Sequence, residues 1–484
     1  MTSAARDRED ARMAGGTDVR TDRDDDRERV LDAAHRCVDV LVRTAIIDGA
    51  GAPTWPAWEL DPDGHPFAVV AGQRSLYDGD AGVAWALTHL GIVLDRPDAL
   101  DLGESATRAL LRARPTGSDA PAGLLVGEAG VDLLVRVGGP VTTGWSDGSD
   151  LTDGLAGILL GLARSRRHGT HAAGIVAELR HRSRVEAWGR SWPDARLAGE
   201  SARPLCGLAH GASGVAWALA EAAAVWPGLA PQALDLAHEA LAWEASWSDP
   251  ARGGWPDLRD GDVTWPDLWC HGAAGAGAVR LRLLELAEAG LDVPWSLDTT
   301  RAEAEMAVQR CGRAMTEAAG LATTHGAGAL AAGWTLCHGA GGPTAVVALA
   351  ADVFGEVEHR DLAVAAAAAW VDAAGDAPEA WPCGLRGADG DVSLVNGVAG
   401  TAVLLADLAL PGAMPALPLL GMGGARSTHA ARSARAPQSA RAPQSARARR
   451  SAAGGLGPGV VAGGAGRRNP LSLSRGAVGP VADA

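Results

Sequence analysis

Residues 209–220 read AHGASGVAWALA: a polar residue, a Gly-x-x-Gly pair enclosing small side chains, then an unbroken apolar run. Six more stretches repeat the pattern. They are YDGDAGVAWAL from Tyr77, LVGEAGVDLLV from Leu125, TDGLAGILLGL from Thr152, CHGAAGAGAVRLRL from Cys270, CHGAGGPTAVVALA from Cys337 and VNGVAGTAVLLADL from Val395. Gly-x-x-Gly alone carries little, because 64 glycines in 484 residues generate about eight such pairs by chance. The composite is informative. Paired glycines let a loop turn tightly and bring two backbones together where a helix begins.

The first glycines, Gly79, Gly127, Gly154, Gly211, Gly272, Gly339 and Gly397, are 48, 27, 57, 61, 67 and 58 residues apart. Second helical segments fall between most of them, at 231–245, 301–319 and 361–374. A period of about 60 residues with two helices per unit predicts an α/α solenoid. Seven units can close into an all-α toroid of inner and outer helix pairs, with every glycine loop at one end around a central cavity. The 27-residue interval leaves no room for an outer helix, so that unit is read as shortened. Gly127 and Gly397 are read as tight turns only.

The ends differ from this body. Residues 1–30 contain sixteen charged side chains and almost nothing large and apolar, which predicts a disordered segment. Residues 421–484 run through SARAPQSARAPQSARARR into Gly/Ala-rich sequence without helical or strand period, and are read as a disordered tail. The folded domain is placed at 31–420. The tail holds ten arginines and one acid, so the rest of the chain carries 33 basic and 57 acidic residues, a net of −24 against −15 for the whole. Such acidity disfavours nucleic-acid phosphates and anionic membranes and suits cationic partners. No run reaches the roughly 18 apolar residues of a membrane span, and the acidic start lacks a signal peptide's apolar stretch. Six cysteines are too few for a secreted disulfide scaffold of this length. A cytoplasmic protein is expected.

Cys-His-Gly occurs twice, at Cys270-His271-Gly272 and Cys337-His338-Gly339, each opening a repeat. Thiolate and imidazole are the ligands zinc prefers, and a Cys2His set leaves one tetrahedral position open. Cys37, Cys206 and Cys311 read as structural, Cys383 as able to reach the cavity mouth with nothing demanding it, and His271 as support beside a ligand.

The series SLYDGDAGVAW, DLTDGLAGILL, GLAHGASGVAWAL, WCHGAAGAG, LCHGAGG and SLVNGVAG resembles the lantibiotic cyclases and LanC-like proteins over about residues 33–408. The resemblance implies an α/α toroid of about seven helix pairs. It also implies that Cys270, Cys337 and His338 are zinc ligands, that His210 is the catalytic histidine, that Asp150 is an acidic partner, and that Trp269 lines the site. Asp153 competes with Asp150, which on its own reads equally as a helix cap. Two departures stand out: Pro266 occupies the position of an arginine four residues before the first ligand cysteine, and the family's additional active-site tyrosine is missing, Tyr77 belonging to the first repeat.

The expected chemistry is addition of a peptide cysteine thiolate to dehydroalanine or dehydrobutyrine, giving a lanthionine or methyllanthionine ring. His210 would return a proton to the α-carbon, assisted by Asp150. The expected partners are a dehydrated precursor peptide with its leader and a separate dehydratase. Alternatives are a LanC-like enzyme adding a small thiol such as glutathione to dehydrated residues, and a zinc-containing peptide-binding scaffold without catalysis. A glycosidase or terpene cyclase on an α/α barrel would need paired carboxylates or a DDxxD cluster. The only acidic cluster, Asp24-Asp25-Asp26, lies in the charged start.

Overall fold

Each Gly-x-x-Gly pair marks the start of a helix in the computed structural model, which describes residues 19–60, 66–115, 121–134, 144–194, 203–259, 263–385 and 390–422. Thirteen α-helices are present among them. Seven start at the repeats: α2 (Asp80–Val93), α4 (Glu128–Asp132), α5 (Leu155–Ser165), α7 (Ala212–Val225), α9 (Ala273–Glu288), α11 (Gly341–Phe354) and α13 (Val398–Ala409). The other six are α1 (Val19–Arg43), α3 (Pro97–Arg112), α6 (Gly169–Arg182), α8 (Ala230–Ala245), α10 (Leu297–His325) and α12 (Val357–Ala374).

The sequence separates the two sets. The repeat helices are buried over most of their surface, as a helix enclosed by others must be; in α7 every residue from Ala212 to Ala223 is buried. The others are one-sided. In α3 the buried residues are Ala99, Gly103, Ala106 and Leu110, three or four apart, with charges on the remaining faces. The repeat helices therefore form an inner ring and the others an outer layer. Three two-stranded antiparallel hairpins complete the described residues: β1–β2 (Ile46–Ile47, Pro53–Thr54), β3–β4 (Ala57–Leu60, Pro66–Val70) and β5–β6 (Arg184–Glu186, Gly189–Ser191).

The ring closes through the backbone. The residue two places before each first glycine bonds its counterpart in the next repeat: Tyr77 N to Leu125 O (2.9 Å), Leu125 N to Thr152 O (2.9 Å), Thr152 N to Ala209 O (3.2 Å) and Ala209 N to Cys270 O (3.0 Å). Cys337 N then bonds Val395 O (3.0 Å) and Val395 N bonds Tyr77 O (3.3 Å). One link differs. Between Cys270 and Cys337 the contact is from Sγ of Cys270 to the carbonyl of Cys337, at 3.7 Å.

The second glycine of each pair explains why the motif is strict. A Cβ at Gly275 would lie 2.0 Å from Trp269 O and 2.7 Å from Leu208 Cβ of the preceding repeat. At Gly82 it would lie 2.7 Å from Leu394 Cβ, so the first repeat packs against the last. Gly127 and Gly397 are thus more than tight turns, because Leu125 and Val395 are members of the same ring. The second repeat is short: α4 spans five residues, and no outer helix stands between it and α5 among the described residues.

The charged start departs from expectation. Helix α1 begins at Val19, so residues 19–30 are helical rather than disordered. The charges are accommodated on its outer face: Arg23 and Arg27 pair with Asp361 of α12 at 2.6 and 2.9 Å, while Val30, Ala33, Ala34 and Cys37 turn inward and are fully buried. The remainder of segment 1–30 and nearly all of the expected tail 421–484 lie outside the described residues.

Two buried carboxylates lead to testable stability effects. Glu244 of α8 is fully buried and accepts from Gly207 N (2.7 Å), Ser213 N (3.1 Å), Ser213 Oγ (2.5 Å) and Arg280 Nη1 (2.6 Å). Glu244→Ala would leave buried Arg280 with Glu303 as its one remaining carboxylate partner, at 2.9 Å, and would strip Gly207 N and Ser213 N of their acceptor, so a loss of about 3 kcal/mol in denaturant unfolding is expected. An unchanged midpoint would show that the pair contributes no net stability. Asp80 accepts from Thr54 Oγ1 and Trp55 N, clasping the β1–β2 hairpin to α2, and burial raises its pKa to about 6. Because the folded pKa exceeds the unfolded one, its contribution is present at low pH and is lost as pH rises through about 6. The stability difference between wild type and Asp80→Asn should therefore change across pH 4–6 and level off above pH 7. A pH-independent difference would contradict this.

Candidate active site

The closed ring brings most of the residues one and two places before the first glycines to a single cavity of about 300 Å³. Cys270, Cys337 and His338 line it, and their ligand atoms lie within 4.8 Å of one another. Cys337 Sγ is 3.6 Å from His338 Nε2. Zinc–sulfur bonds of about 2.3 Å and zinc–nitrogen bonds of about 2.0–2.1 Å at tetrahedral angles place such donors about 3.5–3.8 Å apart, so the set fits one ion. The thiols are buried, while His338 is exposed towards solvent. Hydrogen bonding with Cys337 and with His338 holds the Cys270 thiol well below the usual range, whereas burial pushes the Cys337 thiol up. Two thiolates this close repel each other unless a cation lies between them.

His210 reaches the same cavity from the fourth repeat. Its Nδ1 lies 2.6 Å from Asp150 Oδ2. Burial works against ionisation of Asp150, but the His210 hydrogen bond and charge hold its carboxyl below the ordinary value. The other oxygen of Asp150 accepts from the backbone N–H of Asp153 (3.0 Å) and Gly154 (3.1 Å). The two readings of Asp150 are thus both present: one oxygen shapes the loop and the other holds the histidine. Asp153 stands at the cavity wall but is not the partner of His210 Nδ1. His271 is buried, stacks on His210 with ring centroids 5.8 Å apart, and is pushed down to about 4 by burial. Trp269, expected to line the site, is instead fully buried and absent from the cavity lining, its Nε1 donating to Pro418 O.

Three further residues belong to this site. Tyr77, assigned from sequence only to the first repeat, donates from its hydroxyl to Cys337 Sγ (3.3 Å) and accepts from Asn396 Nδ2 (3.1 Å). Position in the repeat was the available signal: Tyr77 is the equivalent of Cys270 and Cys337, and Asn396 of His210 and His338. Arg259 also lines the cavity, its guanidinium held by Asp257 at 2.5 Å. It comes from the connection between α8 and α9, where no periodicity marks it, and it puts a cation here although position 266 is proline. A larger cavity of about 490 Å³, lined by Val308, Gly312, Val347 and Leu362, contains none of these residues.

A family model for lanthionine synthetase C-like protein matches residues 75–419, the whole span of the repeats. The chain belongs to the lanthionine synthetase C-like family. The toroid agrees with this: a solved structure of a nisin cyclase superposes with a TM-score of 0.50 at 14% identity, covering 72% of this chain and 93% of that one. A polysaccharide lyase structure superposes at a TM-score of 0.39 and 14% identity, covering 78% of this chain and 96% of that one. No curated protein sequence matches the chain. No described helix is long and apolar enough to cross a membrane.

Proposed function

We propose that the protein is a zinc-dependent lanthipeptide cyclase, closing lanthionine and methyllanthionine rings in a dehydrated precursor peptide supplied by a separate dehydratase. The observation that carries this reading is the meeting of the Cys270/Cys337/His338 donor set with the His210–Asp150 pair at one cavity. Zinc held by those three residues would supply a cation that keeps a substrate thiol ionised at neutral pH.

The chain's own groups complete the addition. Asp150 fixes the His210 ring through Nδ1, so proton exchange falls to Nε2. His210 delivers a proton to the α-carbon as the new carbon–sulfur bond forms at the β-carbon, and the proton given up by the thiol balances the one gained by carbon. Arg259 places a permanent positive charge beside the cavity, where negative charge builds on the substrate carbonyl oxygen. The acidic body favours a basic precursor, whose leader would dock outside the cavity.

The test is incubation of the zinc-loaded protein with a dehydrated precursor, counting free thiols against time. Loss of thiol at constant peptide mass supports ring closure. If thiols persist unless glutathione is added, and mass then rises by one glutathione per addition, small-thiol transfer replaces cyclisation. No change under either condition leaves a peptide-binding scaffold.

A further inference from the structure

The polar groups around the three donor residues form a connected path whose middle lies in the seventh repeat. Asn396 is 1% exposed and its backbone is locked: its N–H bonds Ser393 Oγ at 3.2 Å, and its carbonyl accepts from Gly384 N at 2.7 Å. Gly384 leaves room for the side chain, since a Cβ there would strike Asn396 Oδ1. The amide Nδ2 donates to the Tyr77 hydroxyl at 3.1 Å, which in turn donates to Cys337 Sγ at 3.3 Å. At the other end of the amide, Oδ1 is buried with no donor in full hydrogen-bond geometry, and the backbone bond from Cys337 N to Val395 O (3.0 Å) joins the two loops at the residues just before His338 and Asn396. His338 presents Nε2 to Cys337 Sγ, which makes Nδ1 the nitrogen that can donate to a neighbouring acceptor. A buried amide oxygen without a donor is costly, as is a metal-binding imidazole whose second nitrogen has no acceptor. One contact relieves both.

We propose that Asn396 and Tyr77 are positioning residues that tie the two neighbouring ligands together, Asn396 Oδ1 accepting from His338 Nδ1–H and Tyr77 donating to Cys337 Sγ. The amide oxygen selects the tautomer of His338 whose Nε2 lone pair is available to a cation. The phenol, by donating a hydrogen bond, lowers the charge density on the Cys337 sulfur and would tune how strongly it donates to a bound cation. The first and seventh repeats, which hold no ligand themselves, thereby set the state of the ligands in the sixth. This inference rests on the metal reading above.

The test uses zinc itself, competed against a chromophoric chelator on the full chain, with cobalt(II) as a spectroscopic substitute. Asn396→Ala should weaken zinc binding by about 10- to 100-fold, and Tyr77→Phe, which removes a single oxygen, by up to about 10-fold. The combined variant should lose less than the product of the two, because the path is already broken by either change. In the cobalt form, Tyr77→Phe should move the thiolate-to-metal charge-transfer band to lower energy, a shift that general loosening of the fold would not give. Unfolding of the metal-stripped variants checks that each one folds. Unchanged affinity in both variants with an unmoved cobalt band would overturn the link while leaving the zinc site intact. A wild-type chain that binds no zinc would overturn the link and the metal reading together.

Discussion

Elemental analysis of the purified chain is expected to find about one zinc ion per molecule and to find it gone in Cys337→Ala. The expectation follows from the donor geometry. Cys270, Cys337 and His338 bring two soft sulfurs and one imidazole within 4.8 Å, in a pocket where one thiol is already pushed towards ionisation and the other away from it. Removing Cys337 leaves two protein donors, too few to hold zinc against solvent and buffer. The fold should survive, because the six other links of the ring and the apolar inner helices do not depend on this sulfur. Thiol consumption on a dehydrated peptide should fall to the uncatalysed level. Zinc retained at full stoichiometry in Cys337→Ala would show that the ion sits elsewhere. Absence of zinc from the wild type would remove the cyclase mechanism and put the scaffold reading in front.

Substitution at His210 should separate chemistry from metal binding. His210→Ala is expected to lower kcat by about 10²- to 10⁴-fold, the usual contribution of a positioned acid or base, while zinc content stays at one per chain. Asp150→Asn tests the partner. An amide still has an oxygen to accept from the N–H groups of Asp153 and Gly154, so the loop keeps its cap, but the charge facing His210 Nδ1 is lost. A fall in kcat with little change in KM is expected, since the imidazolium formed during turnover is no longer stabilised. If His210→Ala retains wild-type turnover, proton delivery belongs to another group, and His271, stacked 5.8 Å away, is the next to test.

Much of the architecture could be read along the chain because it is built from local rules. Glycines three apart followed by an apolar run recur seven times, and each recurrence starts an inner helix. The one-sided pattern of segments such as 97–112 marks the outer helices equally well. Local reading failed at residues 19–30, where charge density suggested disorder. There the helix is held by ion pairs to Asp361, a residue more than 300 positions away. It also undervalued Gly397, because what matters in that loop is Asn396, whose amide donates to Tyr77 of the first repeat.

For the site, the double Cys-His-Gly and the histidine of the fourth repeat are visible in the sequence because both residue type and repeat position are unusual. Tyr77 and Arg259 were not assigned to the site: one was absorbed into a structural motif and the other sits in an irregular connection. By itself the sequence determined the number of repeats, the helical layers and the cysteine and histidine residue types of the candidate site, all of which depend on neighbours within a turn or two. Only the tertiary structure decided that Asp150 meets His210 at Nδ1, that Tyr77 touches Cys337, and that Arg259 supplies the cation absent at Pro266. Those pairings exist because the ring closes, and closure brings together residues 60 to 260 positions apart whose contacts no local pattern encodes.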